Sequence, residues 1–469
     1  MDGENQGGLL FIAAFFLTFA GCAVLSRAVP QPEPEPEAKT APETSSGEGT
    51  EPAEELGAGA GGAGSGQEGR PAAKGATYYV HPRGNNAAAG SIEKPWRDLS
   101  YAASRMGPGD ITYLRGGTYA VKNTIELRAS GTAAAPLTFT TYHDEEATLV
   151  MESVQPGTAF DAVQVYGSYL VLEKLRIRNR NDPGTGLWIA NQAHHVTVRN
   201  CDLSAEHGVP LLVSGSESTF VSNRIHDAGA SLTVPIAPGE DLPNYNCGVY
   251  VEGARNLLRG NHIYNNGNLG LQLYNGYPGG SAGRNIIEYN YVYHNGYPAY
   301  GKNPKKALAG IVVAGGSGSN NVIRYNRSCD NTKYGIFLLD SVANNQFVGN
   351  VTCYNQLGGV ALVEPGPGTV LSGHISYNDL GFAVAANPGV RSDRNIYFNS
   401  QGNPKLKWGD KDLTLGGLRR ESGGDQSSRI ADPAFKNAPK ERFDPEAAQA
   451  YDFATPANPA LSGGPSGGG

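Results

Sequence analysis

Residues 261–274 read NHIYNNGNLGLQLY, an Asn-x-Ile-x-x-Asn unit that runs into a Gly-Leu-x-Leu strand. Near copies follow as NYVYHN at 290–295, NRSCDN at 326–331 and NVTCYN at 350–355. Glycines that open a Gly-aliphatic-x-aliphatic strand mark the period: Gly186, Gly208, Gly248, Gly270, Gly310, Gly335, Gly359 and Gly381. Their spacings are 22, 40, 22, 40, 25, 24 and 22 residues, a unit of about 22 with long insertions in two copies. Val249 and Val251, Leu271 and Leu273, Ile311 and Val313, and Ile336 and Leu338 alternate as a strand with one buried face does.

A second strand lies around the first Asn of each unit, with Ile225, Ile263, Val292 and Ile375 as its expected inward residues. Units this short cannot close a core alone, but stacked in register they build a solenoid with a continuous apolar centre. Asparagine tolerates a left-handed turn, and its amide can bond the equivalent residue one coil away. Asn266, Asn295, Asn331, Asn355 and Asn378 are therefore expected to form a structural ladder at one corner.

The repeat resembles the right-handed parallel β-helix proteins of bacteria, which include pectate lyases, alginate lyases and epimerases. The opening YYVHPRGNN…KPWRDLSYAASRMGPGDITYLRGGTY is similar to the N-terminal segment of proteins related to the family 9 pectate lyases. The ending DPAF…YDFATPANPALSGG resembles the C-terminal segment common in that group. The resemblance implies an all-β, right-handed parallel β-helix over residues 76–400, started by a short capping helix. Trp96, Leu99, Ala102, Ala103 and Met106 supply an apolar helical face for that cap, just after Pro95. Residues 401–469 should pack on the solenoid and end in a disordered Gly-rich tail.

Upstream, LLFIAAFFLTFAG at 9–21 is an apolar stretch leading into Cys22. FAGC resembles a bacterial lipobox, which makes residues 1–22 a lipoprotein-type signal peptide and Cys22 the lipidated first residue. The alternative is an uncleaved membrane anchor, since residues 8–25 nearly suffice to span a bilayer. Residues 23–75, rich in Pro, Glu and Gly, have no apolar periodicity and read as a disordered acidic tether. The net charge of −7 comes from residues 1–75, with 11 acids and 4 bases, and leaves 33 of each beyond them. A neutral solenoid without a basic stripe argues against a nucleic-acid partner. The chain is expected to be exported to the cell envelope, held at the membrane by a lipid anchor, and monomeric.

Solenoids carry function in loops that escape the repeat. Asn223 to Gly248 and Asn290 to Gly310 take 25 and 20 residues, whereas Asn261 to Gly270 and Asn326 to Gly335 take 9 each. Loops near 229–247 and 296–309 thus leave one corner two coils apart and flank a coil with a short turn. A third insertion, at about 275–283, leaves a different corner. Outward positions on the strand feeding the first corner run Arg176 and Arg178, Asp202 and Ser204, Arg224 and His226, His262 and Tyr264, Tyr291 and Tyr293, then Arg327 and Cys329. Arginine pairs with carboxylates and aromatic rings stack on sugars, so Arg224, His226, Tyr291, Tyr293 and Arg327 are expected to bind an acidic polysaccharide. The alternative is a solvated strand face with Tyr and His as ordinary β-formers.

β-Elimination of a uronate needs a neutralised carboxylate and a base. Lys305, flanked by Lys302 and Lys306, can be that base if its pKa is lowered; His262 and Tyr264 on the floor between the loops are the alternatives. The family resemblance would imply calcium held by an aspartate cluster beside a catalytic lysine. The comparable stretch YNNGNLGLQLY has no aspartate, and Glu240-Asp241 is the single adjacent acid pair in the coils after Gly186, so no cofactor is expected and calcium stands open without an aspartate cluster to support it. Cys329 and Cys353 stack on adjacent coils, which permits a disulfide without requiring one. Cys201 occupies a ladder column and should be buried. The leading function is a lyase for uronate-containing polysaccharide. Its rivals are a non-catalytic surface module for glycan binding or adhesion and, last, a glycoside hydrolase, which needs two facing carboxylates.

Overall fold

The computed structural model describes residues 75–152, 161–181, 183–229, 247–275, 280–296, 309–315 and 318–455. Residues 1–74, which include Cys22 and nearly all of the expected signal peptide and tether, and the stretches carrying Lys305 and Glu240-Asp241 lie outside the described residues.

Each coil contributes three short strands, one to each of three twelve-stranded sheets. In the coil that holds the quoted stretch these are Leu257–Arg259 in the first sheet, His262–Tyr264 in the second and Leu271–Leu273 in the third. Neighbouring coils pair in parallel: Ile225 faces Ile263, and Ile263 faces Val292. The interior is a continuous column of side chains such as Val198, Phe220, Leu258, Ile287, Ile323 and Phe347, all inaccessible to solvent. The helix Leu99–Ala103 covers the N-terminal end, with Trp96, Leu99, Ala102, Ala103 and Met106 buried as its apolar spacing requires. At the other end, Lys405–Trp408 and Arg429–Ile430 extend the third and second sheets beyond residue 400.

The asparagine ladder exists, and it has a defined end. Asn266 donates through Nδ2 to Asn295 Oδ1 (3.0 Å), Asn295 to Asn331 (3.0 Å) and Asn331 to Asn355 (2.9 Å). The ladder then ends on Asp379, which accepts from Asn355 at 2.8 Å; Asn378 is not a rung. A carboxylate suits the terminus because it has no donors to leave unpaired in the core. Burial still raises the Asp379 carboxyl to about 6, against the hydrogen bonds from Ser376, Thr352 and Asn355. A second ladder, Asn223–Asn261–Asn290–Asn326–Asn350, runs along the corner before the second sheet. Cys201 heads it, buried, with its backbone N–H donating to Asn223 Oδ1 at 2.9 Å.

The left-handed conformation and the amide ladder belong to different residues. Asn265, His294, Asp330, Tyr354 and Asn378 have φ between 52° and 55°, and each stands immediately before a rung. The αL residue turns the chain while the next one points its amide inward. The glycine column Gly248, Gly270, Gly310, Gly335 and Gly359 is also real, but a positive φ does not explain it. A Cβ on Gly248, Gly310 or Gly335 would lie 2.4–2.7 Å from the Nδ2 of the next coil's rung. Glycine is needed for close approach to the ladder. Where the next rung is Ala228 or the ladder has ended, the column holds Pro210 and Ala383 instead, two residues past the expected Gly208 and Gly381.

Ile375 is likewise displaced from the expected face. Its register partner is Val351, an outward residue, and the inward positions on those coils are Ser328, Thr352 and Ser376. Their hydroxyls are satisfied within the core: Ser328 donates to the Gly335 carbonyl, and Thr352 and Ser376 donate to Asp379. Outward polarity inverts with them. Val351, Cys353, Ile375, Tyr377 and Ile396 pack beneath Phe443, Ala448 and Phe453 of the C-terminal segment. Cys329 and Cys353 form a disulfide in this covered layer.

Candidate functional site

The outward columns of the second sheet run, in register, through Arg176, Asp202, Arg224, His262, Tyr291, Arg327 and Val351, and through Arg178, Ser204, His226, Tyr264, Tyr293, Cys329 and Cys353. They are not uniformly open. Tyr291 and Arg327 are 3% and 7% exposed, with the Arg327 guanidinium 5.7 Å from the Tyr291 ring and 5.6 Å from that of Phe453. Tyr293 is also buried, packed tilted against Phe443. The expectation that these three line an open stripe is therefore corrected. The C-terminal segment covers them, which confines the candidate floor to the outward positions from Arg176 to Tyr264.

On that floor the side chains are organised by charge and stacking. His226 bridges two carboxylates, Nε2 to Asp202 Oδ1 at 3.1 Å and Nδ1 to Asp227 Oδ2 at 2.8 Å. Burial opposes its charge, yet the hydrogen bonds and charges of Asp202 and Asp227 raise it to about 9. Asp202, where burial alone would raise the carboxyl, is brought below its usual value chiefly by the His226 bond. The imidazolium stacks on Tyr264 at 5.0 Å, and Tyr264 stacks on Tyr293 at 5.2 Å. Arg224 donates from Nη2 to Tyr264 Oη at 3.0 Å and lies 3.7 Å from Asp202. Burial raises the Tyr264 phenol, with Arg224 working against it, so the phenol keeps its proton. Since Arg224 occupies an oxygen lone pair, that proton is free to be donated elsewhere.

His262 is the electrostatic opposite of His226. Burial, assisted by the charges of Arg327 and Arg224, lowers it to about 4, so it is neutral. It packs edge-on against Tyr291 and Tyr293 at 5.9 and 6.5 Å. Its Nδ1 is buried without a hydrogen-bond partner among the described residues. Two histidines on adjacent coils thus hold opposite protonation states: Asp227 directly follows His226 in sequence, whereas Asp202, Arg224 and Arg327 act from other strands.

Two insertions leave and rejoin the coils on either side of the His262–Tyr264 coil: one departs after Gly229, on the Arg224 coil, and returns at Cys247; the other departs after Gly296 and returns at Ala309. The coil between them turns at 265–270, bearing His262 and Tyr264. Lys305 lies outside the described residues. Lys333 is absent from the sequence-based candidates. It lies at the same corner one coil further on, two residues after the rung Asn331, and burial lowers its ammonium to about 8. Its fixed offset from a rung was the available signal. For calcium the described residues do not fit. Asp202 and Asp227 are both engaged by one imidazolium and Glu146 by Arg176, whereas a hard cation takes six to eight oxygens.

Comparison with known proteins places the chain. The family model for the Pel9A-like right-handed β-helix region matches residues 78–365. Pectate lyase PEL9 of Emericella nidulans is 31% identical over 222 residues, 44% of this chain and 51% of that protein. The uncharacterized protein YwoF of Bacillus subtilis is 26% identical over 129 residues, 26% of this chain and 27% of its own. The chain thus spans about half or less of the curated relatives it matches. Among solved structures, pectate lyase Pel9A superposes with a TM-score of 0.51 at 17% identity, over 77% of this chain and 82% of its own. A rhamnogalacturonan lyase gives 0.51 at 14%, over 82% and 94%. These two share the fold. With its family model covering more than half of the sequence, this chain belongs to the Pel9A-like right-handed β-helix family, related to the family 9 pectate lyases.

Proposed function

We propose that the protein is an exported lyase of uronate-containing polysaccharide, anchored through Cys22 and working over Arg224, His262 and Tyr264. The observation that carries this reading is the Arg224–Tyr264 pair beside a neutral His262 that stands between two loop bases. Arg224 offers a guanidinium to the substrate carboxylate. A base takes the C5 proton, the electrons form the C4–C5 double bond, and the C4–O bond breaks with its oxygen taking a proton. Tyr264, protonated and relieved of its acceptor role by Arg224, suits that last step. His262 is neutral and can accept the C5 proton, although burial makes it a weak base; Lys305, in the insertion that departs after Gly296, is the stronger one. The activity of the Emericella nidulans relative, named a pectate lyase, supports this choice of reaction. No step is routed through calcium.

The test is unsaturated product, followed in the ultraviolet, from pectate, alginate and glycosaminoglycans. His262→Ala, Tyr264→Phe and Lys305→Ala should each cost on the order of 10²–10⁴ in turnover if they transfer protons. Melting should barely change for the two floor variants. Arg224→Ala should weaken binding of acidic substrate, less so as salt rises. Binding without turnover on every substrate would make the protein a glycan-binding module. Intact turnover in all four variants would move the site elsewhere. For export, Cys22→Ala should release the protein from membranes or block its processing.

A further inference from the structure

A second cluster lies at another corner of the solenoid, where the third sheet passes to the first. His194 and His195 turn their rings so that the two Nδ1 atoms stand 2.7 Å apart. Glu217, on the next coil, places Oε2 at 3.7 Å from His195 Nδ1, and all three ligand atoms lie within 4.8 Å of one another. We propose that His194, His195 and Glu217 form a transition-metal site with tetragonal preference, a class to which copper(II) and nickel(II) belong.

The arrangement is built rather than accidental. His195 and Glu217 occupy successive places in the column of left-handed corner residues, each with φ 54°, which aims both side chains outward in register. Tyr169, from the preceding coil, stacks on the His195 ring at 4.7 Å and meets His194 edge-on at 5.4 Å. The His194 backbone N–H donates to Ser168 Oγ at 3.1 Å. Arg255 donates to Glu217 Oε1 at 2.7 Å and is the main cause holding that carboxyl below its usual range, leaving Oε2 for the histidines. Such outer contacts fix ligand orientation in metal sites.

Geometry selects the metal. With metal–nitrogen bonds of about 2.0–2.1 Å, two ligands at a right angle are roughly 2.8 Å apart and two at a tetrahedral angle about 3.3 Å. The observed 2.7 Å between the histidines matches the right angle, and the Glu217 carboxylate, at 3.7 Å, has to swing inward to complete the set. Tetragonal nitrogen and oxygen donation is the preference of copper(II) and nickel(II), whereas zinc favours a tetrahedron. In the metal-free state one Nδ1 carries the proton shared by the pair. Binding moves that proton to Nε2 of the same ring, which remains neutral and opens both lone pairs to the metal.

The test uses the tag-free full chain titrated calorimetrically with copper(II), nickel(II) and zinc(II), with electron paramagnetic resonance of the copper form. One equivalent of copper should bind with hyperfine coupling to two nitrogens, and nickel should bind tighter than zinc. His194→Ala and His195→Asn, the latter keeping a residue that tolerates the left-handed turn, should each weaken copper binding at least tenfold at unchanged melting temperature. Glu217→Gln should weaken it several-fold. If His195→Asn fails to fold, His194→Ala decides. Wild-type affinity in His194→Ala, sulfur ligation in the copper spectrum, or zinc binding tighter than nickel would each overturn the proposal.

Discussion

The second sheet has two halves built from the same strand at the same two outward positions, and they live in different surroundings. From Arg176 to Tyr264 the outward side chains are held by ion pairs and by an arginine-to-phenol hydrogen bond. From Tyr291 to Ile396 they are covered by Phe443, Ala448 and Phe453, and a disulfide joins two of them. Arg224 and Arg327, in the same column, show the contrast. The first is exposed and paired with Tyr264; the second is buried over aromatic rings, and burial lowers its pKa. Outwardness in a solenoid is thus a statement about direction alone. Whether an outward residue meets substrate or protein depends on what the rest of the chain lays across it.

The largest effect should come from removing the cover. Phe453 is fully buried and makes edge contacts with Tyr291 and Phe435. Phe453→Ala should cost about 3–5 kcal/mol of local stability. Limited proteolysis should then cut the C-terminal segment well before the coils, leaving a protected core. Protection equal to wild type would mean that the cover is held by other contacts and that the two halves differ less than their packing implies.

Reduction tests the covered half from within. The bond between Cys329 and Cys353 closes 24 residues and lies under the segment, so mild reductant should leave it intact until the cover opens. Cys329→Ser with Cys353→Ser should cost about 2–4 kcal/mol by the loop-closure argument. The lower end is expected, since stacked coils already hold the two strands. Denaturant unfolding of the double variant, with and without Phe453→Ala, reads both quantities.

The open half should respond to pH instead. His226 has its ordinary value near 6.5 unfolded and about 9 folded, raised by Asp202 and Asp227 against its burial. Because the folded value is the higher one, its stabilising contribution is complete below about 6.5 and is lost as pH rises through about 9. Its ceiling is roughly 3 kcal/mol, because each tenfold change in proton affinity corresponds to about 1.4 kcal/mol. Melting temperature should therefore fall between about pH 7 and 10, and His226→Gln should flatten that fall. An equal alkaline slope in the variant would assign it to other groups, and the bridging imidazolium would no longer distinguish this half.

Much of the fold was legible because its interactions repeat. Ile263, Asn266 and Gly270 each meet the equivalent residue of the next coil, so a contact along the axis is written as a period along the chain. The errors of detail share one cause. Asn378 and Asp379 both sit in an Asn-like context, and Gly381 and Ala383 both precede aliphatic or aromatic residues; a column is defined by backbone register, which one turn with an altered residue can shift. Ile375 stands one place short of the inward column, which on that coil holds Ser376. Ser328 and Thr352 on the same strand positions already signalled that inside and outside had exchanged, since an inward hydroxyl is tolerated where a core acceptor such as Asp379 waits for it.

The site divides differently. The sequence alone determined which coil carries short turns and which carry insertions, and therefore that His262 and Tyr264 stand between two loop bases, with Arg224 on the neighbouring coil that bears the first. It also determined most of the ladder and of the glycine column, because both recur with the period, while Asn378, Gly208 and Gly381 fell outside them. Only the tertiary structure decided that Tyr291, Tyr293 and Arg327 are covered, that His226 is an imidazolium and His262 a neutral imidazole, and that His194 and His195 converge on Glu217. Those outcomes depend on segments without a period, on burial, and on charges brought together across coils. The cover comes from Phe443, Ala448 and Phe453, well beyond the last full coil of the repeat. A protonation state is the sum of fields from every direction, which no single strand records.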